Sequence, residues 1–336
     1  GLSLAWELYF HQCAFVIIAQ PHLSHSSIIA PGVWNPIVFK RLNPTWQASI
    51  LIQHLKHFYK QIENTIHQRL IQEYHILHIL QNERDKQYWQ EKQEQHPHYL
   101  QNVKTLHKTK YPSLKKDLLC GTVLQAGRLN TSAFIHYSLH FFNSIHAYFE
   151  QTFHHDKVQI YADFIEYNGL KAKHLIFCEG YQVLQNPYFQ FITLKPAKGE
   201  ILHIQTPISV LPENTILHKH ISIIPIHTHQ YLIGSNYDWT NIHEQPTTAM
   251  REKFLNAFCE LFDVPFEILG HYAGIRPAAD RRPIIGHHPV FRNLWIFNGL
   301  GTKGVMLAPY SAKQLVQAIL YHTEIESEMN VNRFLK

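Results

Sequence analysis

The chain has 336 residues, 45% of them apolar and 13% aromatic, which excludes intrinsic disorder because such chains cannot bury enough surface to offset ordering entropy. Its formal charge of +5 is too modest to argue by itself for nucleic acid or membrane, although 27 histidines would raise it steeply in mild acid. The length exceeds a usual single core, so two domains, or one large domain with a satellite, are expected.

The opening "GLSLAWELYF" places Leu2, Ala5, Trp6 and Tyr9 on one helical stripe, with no Ser, Thr or Asp ahead of it as a cap. The β-branched run "AFVIIAQ" follows and predicts a buried strand ending at Pro21. It is also the longest plain apolar run, far short of a membrane span; Glu7 and His11 interrupt any signal-peptide reading, and no basic region precedes it. After a Ser-, Pro- and Gly-rich loop, "PTWQASILIQHLKHFYKQIENTIHQRL" resumes a helical period. Residues 81 to 118 are polar and highly charged, broken by Pro97 and Pro112, and predict solvated helices with a connecting loop. The alternative is a nucleic-acid face, with Lys104, Lys108, Lys110, Lys115 and Lys116 near Tyr111.

From 158 to 180 the pattern reads strand, turn, strand, and from 199 to 236 it alternates as half-exposed antiparallel strands. A helix is expected at 246 to 262, then the strand "NLWIFN", a glycine turn and the helix "APYSAKQLVQAILYH". There is no internal repeat. Cys13, Cys120, Cys178 and Cys259 have no CxxC spacing, which argues against a disulfide framework or zinc knuckle and suits a reducing cytoplasm.

Two glycine-flanked loops carry the chemical signal. "GLGTKG" at 299 to 304 satisfies G-x-G-x-x-G between a strand and a helix, but no second strand with an acid follows Glu324, so it is no dinucleotide fingerprint. What it offers is a helix N-terminus whose backbone N–H groups favour a partly negative ligand atom; packing alone is the other reading. "AGIRPAADRRPIIG" at 273 to 286 sets Arg276, Asp280, Arg281 and Arg282 between two glycines. Arg276 there is either a planar fork for a carboxylate or phosphate, or half of a structural Arg–Asp pair. The histidine pairs 218/220, 227/229 and 287/288 lack metal-site spacing, and no G-x-S-x-G is present.

Taken in order, "GLSLAWEL", "SSIIAPGVWNPIVFKRL", "GRLNTSAFIHY", "LIFCEG", "KGEILHIQ", "YLIGSNYDW", "AGIRPAADRRPIIG" and "NLWIFNGLGTKGVMLAP" resemble the FAD-dependent oxidoreductases of the D-amino-acid oxidase and glycine oxidase superfamily. The resemblance implies an α/β plus α+β fold. A discontinuous, Rossmann-like FAD-binding domain of the glutathione-reductase type would take 1–75, 119–186 and 272–336, and an antiparallel-sheet substrate domain 76–118 and 187–271. Gly1 matches the last glycine of the family's G-x-G-x-x-G, implying a chain that starts inside that motif, short of it by roughly a dozen residues. Where the family has a ribose-binding acid, Ala19 and Gln20 stand, and Gln20 would be a weaker, neutral partner.

By the same resemblance, Ser26 and Ser27 meet the FAD phosphates, and Asn35, Lys40 and Arg41 lie on the loop near the flavin. Gly180 turns the chain after "IFCEG". Gly299, Gly301, Thr302, Lys303 and Gly304 form the loop at the flavin pyrimidine edge. Arg276 is the substrate-carboxylate clamp, and Thr302 takes the position of a second arginine found in glycine oxidases. The implied chemistry is oxidation of the C–N bond of a small amino acid or secondary amine by hydride transfer to flavin. The "GTKG" and "DRRPIIG" forms are also similar to the oxidase domain that trims carboxymethylaminomethyl-uridine in tRNA, so tRNA is an alternative partner. A non-catalytic flavoprotein fold is the third reading, and none of the three calls for a metal or a membrane.

Overall fold

The protein is described from a computed structural model covering residues 1–20, 26–280 and 282–335. The apolar stripe at the start becomes the helix Leu2–Phe10. Its Trp6 is fully buried, stacks on Phe141 at 4.8 Å between ring centroids and donates its indole N–H to Ser138 Oγ at 2.8 Å. The β-branched run yields the strand Ile17–Ala19, parallel to Tyr148–Glu150; the expected end at Pro21 lies outside the described residues.

The long amphipathic period forms the helix Ala48–Ile66, which buries Leu51, Leu55, Phe58, Tyr59 and Ile62 at three- and four-residue spacings. The C-terminal helix was expected to start near Ala308 but starts at Gly304 and runs to Tyr321, so Pro309 lies inside it. Proline lacks the N–H that would bond the carbonyl four residues back, Val305 O. Tyr59 Oη lies 3.3 Å from that carbonyl and donates to it, joining the two helices where the ladder is broken.

One mixed sheet of nine strands dominates the remainder. Across it the order is Glu267–Arg276, Ala197–Gln205, Gln230–Gly234, Ser222–His227, Thr215–His218, Ile71–Ile79, Leu118–Leu129 and Val33–Trp34, with Leu100–Leu106 also pairing to Leu118–Leu129. One face packs Leu77, Leu202, Leu217, Ile223 and Ile233 against Phe254 and Phe258 of the helix Thr248–Leu261. Thr247 caps that helix, accepting from Met250 N at 3.4 Å.

Residues 81 to 118 differ from expectation. The helix Glu83–Gln95 is present, capped by Asn82, but the segment expected as loop contains the strand Leu100–Leu106. It buries Leu100 and Leu106 and exposes most of what lies between, so its polar residues are the outer surface of a strand. Lys104 stands on it, Lys110 Nζ lies over the Tyr111 ring at 5.8 Å, and Lys108 N donates to Asp117 at 2.7 Å. Asp117 follows the last of these lysines and accepts from Lys108 N, and a tRNA surface draws no support from this placement. The expected divisions at 75/76 and 118/119 fall within the strands Ile71–Ile79 and Leu118–Leu129, which pair with each other from Cys120 to Leu129 with a register break between Tyr74 and Ile76.

Two further ladders flank this sheet. Leu175–Phe177 runs parallel to Leu294–Asn298, which is antiparallel to Ile284–His287. Cys13 through Gln20 and Leu170 through Gln182 line a common cavity without alternation, so these segments present their edges to it rather than one pleated face. Among the described residues no helix is long and apolar enough to cross a membrane, and the four cysteines are unpaired.

Trp89, fully buried on the helix Glu83–Gln95, rests on the bare Gly121 of Leu118–Leu129: a Cβ there would come within 2.0 Å of the indole. Gly121→Ala is therefore expected to lower the unfolding free energy by about 1–3 kcal/mol through overpacking, read as a shifted urea midpoint. An unmoved midpoint would show that the indole has room to withdraw.

Candidate active site

The cavity measures about 2630 Å³ and is bounded by the large sheet on one side and, on the other, by the parallel ladders of Ile17–Ala19 with Tyr148–Glu150 and Leu175–Phe177 with Leu294–Asn298. That is several times the roughly 300–1,000 Å³ of a site for one drug-sized molecule.

Arg276, the last residue of Glu267–Arg276, lines it. Its neighbour in register is Ala197, and its side chain runs back along the adjacent strand to lie over Gly199, where a Cβ would stand 2.0 Å from the guanidinium. The guanidinium donates to Lys198 O at 3.4 Å, Asn236 O at 3.1 Å and Ser235 Oγ at 2.7 Å. Tyr237 covers it, with Cζ 5.0 Å from the ring centroid. Burial pulls its pKa downward, but an arginine starts so high that it stays charged. Among the described residues no carboxylate forms an ion pair with it, and the structural pair in this loop is instead Asp280 with Arg333, at 2.9 Å.

Gly274, in register with Gly199, gives a second close approach. A Cβ there would meet Ile29 Cδ1 at 2.6 Å and Ser26 Cα at 3.2 Å, so the short helix Ser26–Ile29 sits against the bare backbone of the strand Glu267–Arg276. Ser26 and Ser27 thereby reach the cavity.

The glycine turns meet through Asn298. This buried side chain donates to Gly180 O at 2.8 Å and accepts from Gly299 N at 2.8 Å, tying the turn after Leu175–Phe177 to the turn after Leu294–Asn298. Gly180, at φ +59°, and Gly301, at φ +54°, hold left-handed conformations that glycine adopts without strain. The turn Gly301–Lys303 then leads into the helix Gly304–Tyr321, which has no side-chain cap at its N-terminus.

Lys303 turns inward from this loop. Its Nζ donates to Asn35 O at 2.9 Å and Thr45 Oγ1 at 2.5 Å, which links the last glycine turn to the Asn35 loop. With no carboxylate paired to it among the described residues, desolvation pulls its pKa down to about 8.

Of the other expected site residues, Gly1, Gln20, Asn35, Lys40, Thr302 and Gly304 line the cavity. Arg41 does not: it is exposed, and its carbonyl receives Tyr88 Oη at 2.9 Å. Gly299 is buried behind the cavity wall, where a Cβ would strike Ile284 at 2.6 Å, so its part is backbone geometry. Arg281 lies outside the described residues. Sequence reasoning gave no role to Gly199, Ser235, Asn236, Tyr237 or Asn298. The only signal for them was indirect, in the stretches "KGEILHIQ", "YLIGSNYDW" and "NLWIFN". Among the described residues no group of three His, Cys, Asp or Glu side chains is placed to hold a metal ion.

Comparison with known proteins bears on the same arrangement. The chain is 30% identical over 123 residues to the glycine oxidase of Pseudomonas aeruginosa, an alignment covering 36% of this chain and only 34% of that relative's length. In three dimensions it is similar to iminodiacetate oxidase from Chelativorans sp. BNC1, with a TM-score of 0.79, 18% identity and coverage of 98% of this chain and 95% of that one. It is likewise similar to glycine oxidase from Bacillus cereus ATCC 14579, with a TM-score of 0.74, 17% identity and coverage of 96% and 93%. At such identities these two likenesses show the shared fold, a mixed α/β architecture. The profile described as "FAD dependent oxidoreductase" (DAO) matches residues 1–318, and the chain belongs to that family.

Proposed function

We propose that the chain oxidises a C–N bond of an amino acid or secondary amine whose carboxylate is held by Arg276. The observation that carries this reading is a cavity-facing guanidinium, fixed by two carbonyls and a hydroxyl over a glycine floor, with no ion-pair partner among the described residues. Three of its five N–H donors are aimed at the protein, and the remaining ones suit a planar anion.

The residues fit FAD. The helices Leu2–Phe10 and Gly304–Tyr321 begin at the cavity wall without side-chain caps, and such N-termini favour phosphate or anionic ring oxygens. Gly1, Ser26 and Ser27 would take the phosphate side, Gln20 the ribose, and Gly180 with Gly301–Gly304 the ring system. Bound there, FAD supplies the acceptor for two electrons.

The protein's part is positioning. Arg276 fixes the carboxylate and thereby the carbon that carries the amine, converting an encounter into a held geometry. Tyr237 covers one face of the guanidinium and helps to fix its plane. Asn298 and Lys303 hold the two glycine turns and the Asn35 loop in register with that carbon. The amine binds neutral, and its nitrogen keeps the lone pair that forms the imine as the Cα–H is lost.

Three measurements test this. Purified protein supplemented with FAD should retain it through gel filtration and bleach anaerobically with a substrate amine; colourless protein would sink the reading. Arg276→Ala should keep its FAD yet lose about 3 kcal/mol in kcat/KM, a hundredfold or more, on a carboxylate substrate. Unchanged kinetics would move the clamp elsewhere. Because the folded pKa of Lys303 lies below its unfolded value, protonation opposes folding: the penalty is present below pH 8 and fades as pH rises toward 10.5. The difference in stability between wild type and Lys303→Met should therefore change across pH 8 to 10.5, while a flat difference would show an ordinary lysine.

A further inference from the structure

The large sheet carries a second feature on its cavity face. His78 pairs in register with His218, His218 with Ser222, and Ser222 with Gly234, the residue before the Ser235 that holds Arg276. Directly opposed residues share one face of a sheet, so this row runs from Gly234, next to the Ser235 that holds Arg276, to the two histidines. His218 stands two strands from Gly234, about 10 Å at the usual spacing.

At that far end the rings form a stack. Phe39 lies 3.9 Å from His218 and 5.1 Å from His78, the histidines are 5.4 Å apart, and Trp89 stands 5.8 Å behind His78, with interplanar angles of 14° to 26°. His218 Nδ1 is 3.0 Å from Ser222 Oγ, whereas the buried His78 Nδ1 has no hydrogen-bond partner among the described residues. The fold thus does not hold the His78 ring by that nitrogen. Burial depresses both imidazoles, to about 4 for His78 and about 3 for His218, so the pair is neutral at physiological pH. Lys40 and Asp85 line the same region with opposite charges, and Lys219 is engaged by Glu260 at 2.8 Å. Between the two ends the floor is Ile201, Ile224 and Gly234.

We propose that Phe39, His78 and His218 form a second substrate subsite that receives an uncharged aromatic or heteroaromatic group on the same molecule whose carboxylate binds Arg276. This rests on the carboxylate-clamp reading above and narrows it: the substrate is a bulky amino acid or N-substituted glycine rather than glycine itself. The stack stands about 10 Å along the row from Gly234, whose neighbour Ser235 holds the guanidinium, a span for a carboxylate, a short linker and a ring. Neutral stacked rings reward a planar uncharged group and offer no counter-ion to a second carboxylate.

The test is calorimetric titration of FAD-supplemented protein with two non-reacting carboxylates, acetate and indole-3-acetate. Wild type should bind indole-3-acetate at least tenfold more tightly than acetate. His218→Ala and, separately, His78→Ala should remove that preference while leaving acetate binding unchanged. His218→Phe, which keeps a ring, should retain most of it. Thermal melts of each variant confirm that it is folded. Equal binding of the two probes by wild type, absence of binding by both, or a preference that survives both alanine variants in folded protein would overturn the subsite. Arg276→Ala separates the two readings, because it should weaken both probes. If it weakens neither while His218→Ala abolishes the preference, the clamp is wrong and the aromatic subsite stands.

Discussion

The site depends on one close approach of backbone to side chain, the Arg276 guanidinium lying over Gly199. Any side chain at 199 would occupy the space of the guanidinium, because its Cβ would stand 2.0 Å from that group. That bare patch lets the arginine cross the adjacent strand and meet Ser235 and Asn236 at the end of the next one. Gly274 repeats the device one strand away and admits Ile29 and Ser26, so the helix Ser26–Ile29 packs directly on the bare backbone of Glu267–Arg276. Short, stiff contacts of this kind fix positions to a fraction of an ångström, which a catalytic geometry requires.

The alternation of the strand Ala197–Gln205 extends the same constraint to its opposite face. Lys198 and Glu200, flanking Gly199, are both buried and lie 3.2 Å apart. Lys198 Nζ donates to Gln245 O at 2.5 Å, while Glu200 accepts from Thr247 N at 2.8 Å and Thr247 Oγ1 at 3.0 Å. They anchor the far end of the loop whose near end supplies Ser235, Asn236 and Tyr237. A buried pair of this sort is weak evidence for stability, since desolvation offsets its attraction. Its value here is geometric: removing either partner would strand a buried charge and release the loop that aims Arg276.

Elements whose side chains face water on one side and a core on the other were legible in the sequence. The stripe of Leu51, Leu55, Phe58 and Ile62 specifies Ala48–Ile66, and the stretch between 199 and 236 forms strands as expected, although Ala197–Gln205 is buried on both faces and not half-exposed. The strand Leu100–Leu106 was not legible, because it lies on the surface and only its ends, Leu100 and Leu106, are buried. The glycine loops announced Arg276, Gly301 and Lys303 as site residues, since restricted backbone and charge stand together there. They did not reveal that Lys303 would turn away toward Asn35 and Thr45, a contact spanning more than 250 residues of sequence. Asn298 was hidden for the same reason: an asparagine ending a strand has no local pattern, and its bond to Gly180 O exists only after two ladders have paired.

The row His78, His218, Ser222, Gly234 marks where resemblance to a family stops being informative. Glycine turns and the arginine loop are read from contiguous motifs because they shape backbone around a cofactor shared by many relatives. The far wall of the chamber is assembled across four strands from residues up to 156 positions apart, one per strand, in an order set by sheet topology. A change at His78, His218 or Ser222 leaves the quoted motifs intact. Two adjacent imidazoles that burial keeps uncharged make that wall costly for an anion and hospitable to a flat neutral group. On the proposed reading, substrate preference follows from sheet register, whereas the redox chemistry follows from loops.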